Sequence, residues 1–365
     1  MSDLKNWLWL NSIPNVGSVR ARLLLDKFKS PEIIYNIVKK RLYDIEGIGP
    51  NVIESIVNSK NEEFVNNLEK ELTRIQKNNI DIITLHDKEY PYNLRNIYSS
   101  PILLYKKGNL VNEDNNSIAI VGSRNATSYG LKVAYDLARQ LAKRGITIIS
   151  GMARGIDSQA HKGALDAGGR TIAVLGCGLD VIYPPENKKL MNDIMNNGAV
   201  ISEFSLGTIP DSKNFPQRNR IISGISRGTV IVEANKKSGS LITADFALEQ
   251  GREVFAVPGP IYSRFSEGTN NLIKDGAKVV TGIEDILEEL KINYIIDNKE
   301  TESLRPDNLT QEENIIYECM SYEPLHVELL MKKSGLSINK MNTILTLLEL
   351  KGIIKQLPGN QFIRM

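Results

Sequence analysis

The sequence predicts an α/β protein built on a mostly parallel sheet covered on both faces, with a small helical segment before it and a helix-and-hairpin segment after it. Three observations carry this. Short runs of β-branched residues alternate with amphipathic segments from about residue 81 to 290, as expected of strands buried on both faces. Residues 1–80 read as short helices broken by two glycine-containing turns. A polar stretch over 291–309 has little periodicity and reads as a linker, after which residues 310–365 restart with helix signals and close on two short strands.

In the first segment, Ile13-Pro14-Asn15-Val16-Gly17-Ser18 leads into a helix over 20–28, and Ile45-Glu46-Gly47-Ile48-Gly49-Pro50 into one over 51–59. An apolar-Gly-apolar-Gly turn with Pro opening the next helix resembles a helix-hairpin-helix, a SAM-like arrangement whose loop amides grip a DNA phosphate. The second copy matches better, because Ser18 stands where the first would carry its second glycine. A helical bundle without DNA contacts fits the same pattern, and both readings stay open.

In the central segment, strands are predicted over 82–85 and 102–105, then over 118–121, 147–150, 171–175, 199–202, 230–233, 253–257 and 278–280, with helices between most of them. Ligands of such sheets bind outside the carboxyl ends of the strands. In the last segment Thr310 and Glu313 form a capping box, helices over 327–333 and 338–350 flank Gly335, and 352–355 pairs with 361–363 across Pro358-Gly359-Asn360. Three helices and a hairpin read as a winged helix, whose third helix usually enters a DNA groove. That helix offers only Lys340 as a cation, so protein contact or packing competes with base reading.

Composition sets the limits. The chain has 365 residues, 41% of them hydrophobic, which suits two or three globular domains. Its 45 Lys+Arg against 43 Asp+Glu leave a net charge of +2, so a polyanion-binding surface must come from local clustering. Cys177 and Cys319 stand alone, which suggests neither a disulfide framework nor a zinc site. Residues 1–7 lack a basic flank followed by an apolar run, and no stretch approaches the roughly 20 apolar residues of a membrane span. A cytoplasmic protein with no membrane contact, metal or cofactor is expected.

The chemistry gathers in two places. Strands run into Gly122-Ser123-Arg124 and into Ser150-Gly151-Met152-Ala153-Arg154-Gly155-Ile156-Asp157, each opening a helix. Glycine lets backbone amides approach an anion at a helix N-terminus, and an arginine adds a bidentate fork. The glycines alone also suit plain tight turns, but Arg124 and Arg154 are not needed for those. Farther on, 213–237 holds six cations, Lys213, Arg218, Arg220, Arg227, Lys236 and Lys237, against Glu233 alone. Phe215 and Asn219 sit among them, and a ring beside arginines favours a single strand with stacked bases over a lone phosphate. Arg218 and Arg220 also admit a second reading, as buried ion pairs with Glu203 or Glu233. Asp157 and His161 lie four apart on one helix face and suit either a general-base pair or a tie at the helix start.

The ordered series Ala119-Ile120-Val121-Gly122-Ser123-Arg124, Ser150 to Asp157, Ala173-Val174-Leu175-Gly176-Cys177-Gly178-Leu179-Asp180 with Tyr183-Pro184, Phe215-Pro216-Gln217-Arg218-Asn219-Arg220, Ser238-Gly239-Ser240-Leu241-Ile242-Thr243-Ala244 and Val257-Pro258-Gly259 resembles the DNA processing protein DprA (Smf) family from about 81 to 290. The resemblance implies an extended Rossmann-like domain that dimerises, binds and protects incoming single-stranded DNA in natural transformation, and helps load the recombinase RecA. It implies that Arg124, with Gly122 and Ser123, holds phosphates, that Lys188 or Lys189 extends the track, and that Phe215, Arg218 and Arg220 line one pocket. Lys237 is a weaker candidate; Gly151, Arg154 and Asn219 join the list from the loop and cluster readings above. A nucleotide-binding or nucleotide-hydrolysing enzyme using the same loops is the alternative. Rossmann-like phosphoribohydrolases carry a Pro-Gly-Gly-x-Gly-Thr-x-x-Glu loop, and the corresponding stretch here, 237–246, lacks the Pro-Gly-Gly start and the glutamate.

Overall fold

The computed structural model describes residues 3–292, 309–320 and 324–364. The chain opens with helices α1 (Asp3–Ser12), α2 (Ser18–Phe28), α3 (Pro31–Asn36), α4 (Pro50–Asn58) and α5 (Glu62–Lys77). Local chemistry sets their starts: Ser30 and Asn61 accept from the Ile33 and Phe64 amides, and Pro31 and Pro50 take first-turn positions where no amide is needed. Trp9, fully buried, donates from Nε1 to Ser59 Oγ at 2.9 Å.

The two glycine turns share one geometry. The Val16 amide donates to Ile13 O at 3.1 Å and the Ile48 amide to Ile45 O at 3.2 Å, with Gly17 and Gly49 each preceding a helix. Gly17 therefore occupies the second-glycine position, and the first turn departs from the pattern at Asn15 instead of Ser18. Asn15 (φ 64°) takes the left-handed conformation that Gly47 (φ 86°) takes in the second turn, a role Asn fills with little strain.

The central segment folds into a nine-stranded sheet of order β1-β2-β6-β5-β4-β3-β7-β8-β9. Strands β1 (Asp81–Thr84) and β2 (Leu103–Gly108), joined through the short helix α6 (Tyr92–Arg95), run antiparallel at one edge. Then follow β3 (Ser117–Val121), α7 (Ser128–Lys143), β4 (Thr147–Ser150), α8 (Ile156–Asp166), β5 (Thr171–Val174), α9 (Lys188–Asn197), β6 (Gly198–Ser202), α10 (Asn214–Ile225), β7 (Gly228–Ile231), α11 (Gly239–Glu249), β8 (Glu253–Ala256), α12 (Glu267–Lys274), β9 (Lys278–Val279) and α13 (Ile283–Glu289). From β6 to β9 every pairing is parallel. Strand order reverses between β3 and β7, which puts a ligand crevice at the loops after those strands. The strand expected over 230–233 begins two residues early, where Gly228 lets the Phe255 ring lie against its backbone.

The C-terminal unit has helices α14 (Gln311–Cys319), α15 (Val327–Ser334) and α16 (Ile338–Leu350), and a three-stranded sheet of β10 (Leu325–His326), β12 (Gln361–Arg364) and β11 (Ile354–Leu357). The capping box forms: Thr310 N donates to Glu313 Oε2 at 2.8 Å and Glu313 N to Thr310 Oγ1 at 3.3 Å. Ile316, Leu330, Met341, Leu345 and Leu348 fill its own core. The linker read over 291–309 lies, from 293 to 308, outside the described residues.

Candidate nucleic-acid interface

A cleft of about 830 Å³ opens at the carboxyl ends of β3, β4, β7 and β8. Its first wall is the loop after β3. A Cβ on Gly122 would lie 2.7 Å from Ile156 Cγ1 and 2.9 Å from Glu233 O, so only glycine lets the loop pass between α8 and the end of β7. The Ser123 amide donates to Glu233 O at 2.8 Å, and Ser123 O accepts from the Ile156 amide at 3.2 Å. The loop is thereby pinned while the exposed Arg124 side chain projects from it. Its guanidinium lies 5.0 Å from the centre of the Phe215 ring, a cation–π distance. Phe215 also stacks on Tyr183, with centres 5.5 Å apart and planes 27° apart. A Cβ on Gly176 would come 2.7 Å from Phe215 Cδ1, so the ring rests directly on that backbone.

The loop after β4 does something different from what its composition suggests. The Gly151 and Ala153 amides both donate to Asp157 Oδ2, at 3.2 and 3.4 Å. The anion at this helix start is therefore the chain's own carboxylate. Burial pushes the Asp157 carboxyl up, against the opposing pull of the Arg218 charge and the two amides. Arg154 turns away and makes a two-pronged ion pair with Glu186, Nη2 to Oε2 at 3.1 Å. Of this loop, Ala153 and Asp157 line the cleft and Gly151 and Arg154 do not.

The cluster on α10 divides. Arg218 is 4% exposed and lines the cleft, with its guanidinium donating to Gly151 O at 2.9 Å and to Val174 O. Burial lowers its pKa to about 10, so it stays charged at neutral pH. It is this guanidinium that a side chain at Gly151 would strike, at 2.6 Å. Asn219 lines the cleft and donates from Nδ2 to Gly239 O at 3.1 Å, tying α10 to the start of α11. Arg220 does not join them. It is buried in a fork-to-fork pair with Glu203, at 2.9 and 2.6 Å, the partner named in the ion-pair reading of that residue. Lys188, Lys189 and Lys237 are exposed and lie outside the cleft lining.

His161 does not pair with Asp157. It is fully buried, shares a 2.6 Å hydrogen bond from Nδ1 with Thr171 Oγ1, and burial drives its pKa down to about 3. Among the described residues no group of His, Cys, Asp and Glu is placed to hold a metal ion, and no helix is long and apolar enough to cross a membrane.

Two parts of the cleft were not singled out as sites from sequence. One is the start of α11, where Ser238 accepts from the Ser240 amide and Ser238, Gly239, Ser240 and Thr243 line the space. An added Cβ at Gly239 would meet nothing within 4 Å, so its backbone faces open space. The Ser-Gly-Ser run stands in the ordered series that carries the family resemblance, but it holds no charge or ring that marks a binding role by itself. The other is the loop after β8, which brings Arg264 and Phe265 to the cleft.

The family model for DNA recombination-mediator protein A matches residues 81–291, that for the DprA winged helix domain 300–360, and that for the SAM-like helix-hairpin-helix tandem 10–59. Protein Smf of Synechocystis is 33% identical over all of this chain and 99% of its own length. DNA processing protein DprA of Bacillus subtilis is 43% identical over 63% of this chain and 77% of its own. Among solved structures, the X-ray structure of DprA from Streptococcus pneumoniae superposes with a TM-score of 0.67 at 37% identity, covering 78% of this chain and 97% of that one. DNA processing protein A from Helicobacter pylori, described for its mode of binding single-stranded DNA, superposes with a TM-score of 0.53 at 32% identity, covering 59% and 98%.

Proposed function

The chain belongs to the DNA recombination-mediator protein A (DprA) family, and from that premise we propose that it holds single-stranded DNA in the cleft and passes it to a RecA-type recombinase during natural transformation. One observation carries the DNA-binding part. Arg124, exposed and without an ion pair among the described residues, rests on the Phe215 ring, which stacks in turn on Tyr183. A guanidinium in that position meets a phosphate while the ring beside it meets a base, and every base has a face to stack. The start of α11, with Gly239 open, adds amides to the same space. Lys188, Lys189 and Lys237 lie on the exposed surface, where they extend the field beyond the cleft.

The reading includes a non-catalytic role, a homodimer and a cytoplasmic location. Support for the first is the state of the two groups a nucleotide enzyme would use: Asp157 is engaged by two amides, and His161 is buried against Thr171. The test is fluorescence anisotropy of a labelled single strand, titrated with salt beside a duplex and free AMP. Tight, salt-sensitive binding that AMP does not compete for is expected, with Arg124→Ala weakening it about tenfold while the thermal midpoint stays unchanged. Wild-type affinity in Arg124→Ala removes Arg124 from the site, and turnover of a mononucleotide replaces the mediator reading with an enzyme.

A further inference from the structure

The loop after β8 repeats, in the same cleft, the chemistry of the loop after β3. Arg264 lies 4.9 Å from the centre of the Phe265 ring, both line the cleft, and Arg264 is exposed. No ion pair involves Arg264 among the described residues. The carboxylate nearest in sequence, Glu267, faces Lys236 instead, at 3.8 Å. An exposed guanidinium with no carboxylate, seated on a ring that faces a cleft, is available to an anion together with a stacked base.

The loop is also held in place. Asn270 clamps Gly259 from both sides, accepting from its amide at 3.2 Å and donating to its carbonyl at 3.0 Å. Phe265 O accepts from the Ala234 amide at 2.8 Å, just beyond β7, and Ala234 O accepts from the Gly268 amide at 2.8 Å. Ser266 packs so closely on Gly259 that an added Cβ would fall 2.1 Å from its hydroxyl. Phe265 is thus anchored through its own backbone to the strand whose following loop also borders the cleft, which fixes the platform before any ligand arrives.

We propose that Arg264 and Phe265 form a second base-stacking and phosphate-binding platform, so that the cleft takes at least two successive nucleotides of a single strand. The inference rests on the single-strand reading of the cleft, and it narrows the ligand. A mononucleotide fills one platform, a base-paired strand presents its edges but not its faces, and a flexible single strand fills both. Because stacking is indifferent to base identity, the pair adds affinity without sequence preference.

The experiment uses the full chain, a labelled oligo-dT, and an abasic oligonucleotide with the same number of phosphates, with wild-type binding measured first. Phe265→Leu is expected to weaken oligo-dT binding by between about fivefold and a hundredfold and to leave abasic binding unchanged. Arg264→Ala is expected to weaken both and to reduce the slope of log affinity against log salt by about 0.7, with Arg264→Lys restoring the slope. Wild-type affinity for oligo-dT in both variants overturns the second platform. Equal losses on the two ligands for Phe265→Leu show that the ring merely supports the loop, and overturn its stacking role. If Phe265→Leu unfolds, the salt slope of Arg264→Ala, an exposed position, decides alone. Absence of oligo-dT binding by the wild-type protein is a different failure, that of the single-strand reading itself.

Discussion

At the scale of single residues, burial separates Arg124 and Arg264, open to solvent, from Arg218 and Arg220, which are engaged by the fold. Arg124 and Arg264 are exposed on aromatic rings, Arg218 braces two strand ends from inside, and Arg220 is locked to Glu203. Sequence alone left Arg220 undecided because an ion pair and a DNA contact ask for the same residue type; only the position of Glu203 distinguishes them. Buried ionisable groups also give the protein a pH response. The unfolded chain's imidazole takes a proton near pH 6.5, whereas burial holds the folded His161 ring down at about 3. Acid therefore favours the unfolded chain, and the stability that the neutral ring contributes is whole above about 6.5. It is lost on the way to 3, at a slope approaching 1.4 kcal/mol per pH unit. Asp157 acts in the opposite sense, because its raised carboxyl takes up a proton in the folded chain first. Denaturant titrations from pH 7 to 5 should show His161→Asn losing stability less steeply than wild type; identical slopes would mean that the folded ring titrates normally.

At the scale of elements, most strands were legible because runs of β-branched residues buried on both faces need no partner to be recognised. β4 matches its expected bounds and the other strands of the parallel core lie within about two residues. What escaped was set by neighbours. The loop after β4 has the composition of an anion site, but its amides are taken by Asp157, and the first helix-hairpin-helix turn hides its left-handed residue as Asn15. Close helix approach is equally hidden. Gly163 of α8 faces α7 so tightly that a Cβ would sit 2.2 Å from Tyr135 O, backbone that cannot step aside. Gly163→Ala should therefore cost about 1–3 kcal/mol despite the better helix propensity of alanine. Lys162→Ala, at the exposed neighbouring position, should change little. Equal midpoints for the two variants in urea would show that the helices part freely.

At the scale of the whole molecule, topology places the site and the cores set how the chain unfolds. Because the strand order turns back between β3 and β7, a crevice opens at their carboxyl ends, and the loops after β3, β4, β7 and β8 converge on it without any one of them forming a site alone. The helices of the first segment are not an independent body beside this sheet. Trp7, Trp9, Leu24, Ile53 and Ile56 belong to one continuous buried cluster with Leu103, Leu104, Val174 and Ile201 of the sheet. Arg74 of α5 reaches Asp180 at 2.7 Å and Leu206 O at 3.2 Å, and Asp180 in turn accepts from the Gly207 amide at 2.7 Å. Asp180 lies on the segment that leads to Tyr183, so α5 braces the chain just before one of the cleft's rings. The C-terminal unit has a separate core around Leu330, Met341 and Leu348. Cooperativity follows shared burial, so calorimetry should resolve two transitions, one for residues 3–292 together and one for the C-terminal unit. Removing residues 1–80 should lower the first transition and expose the apolar face of β2, while removing residues beyond 309 should delete the second transition and leave the first in place. A third transition assignable to the N-terminal helices would show that the continuous cluster does not act as one cooperative unit.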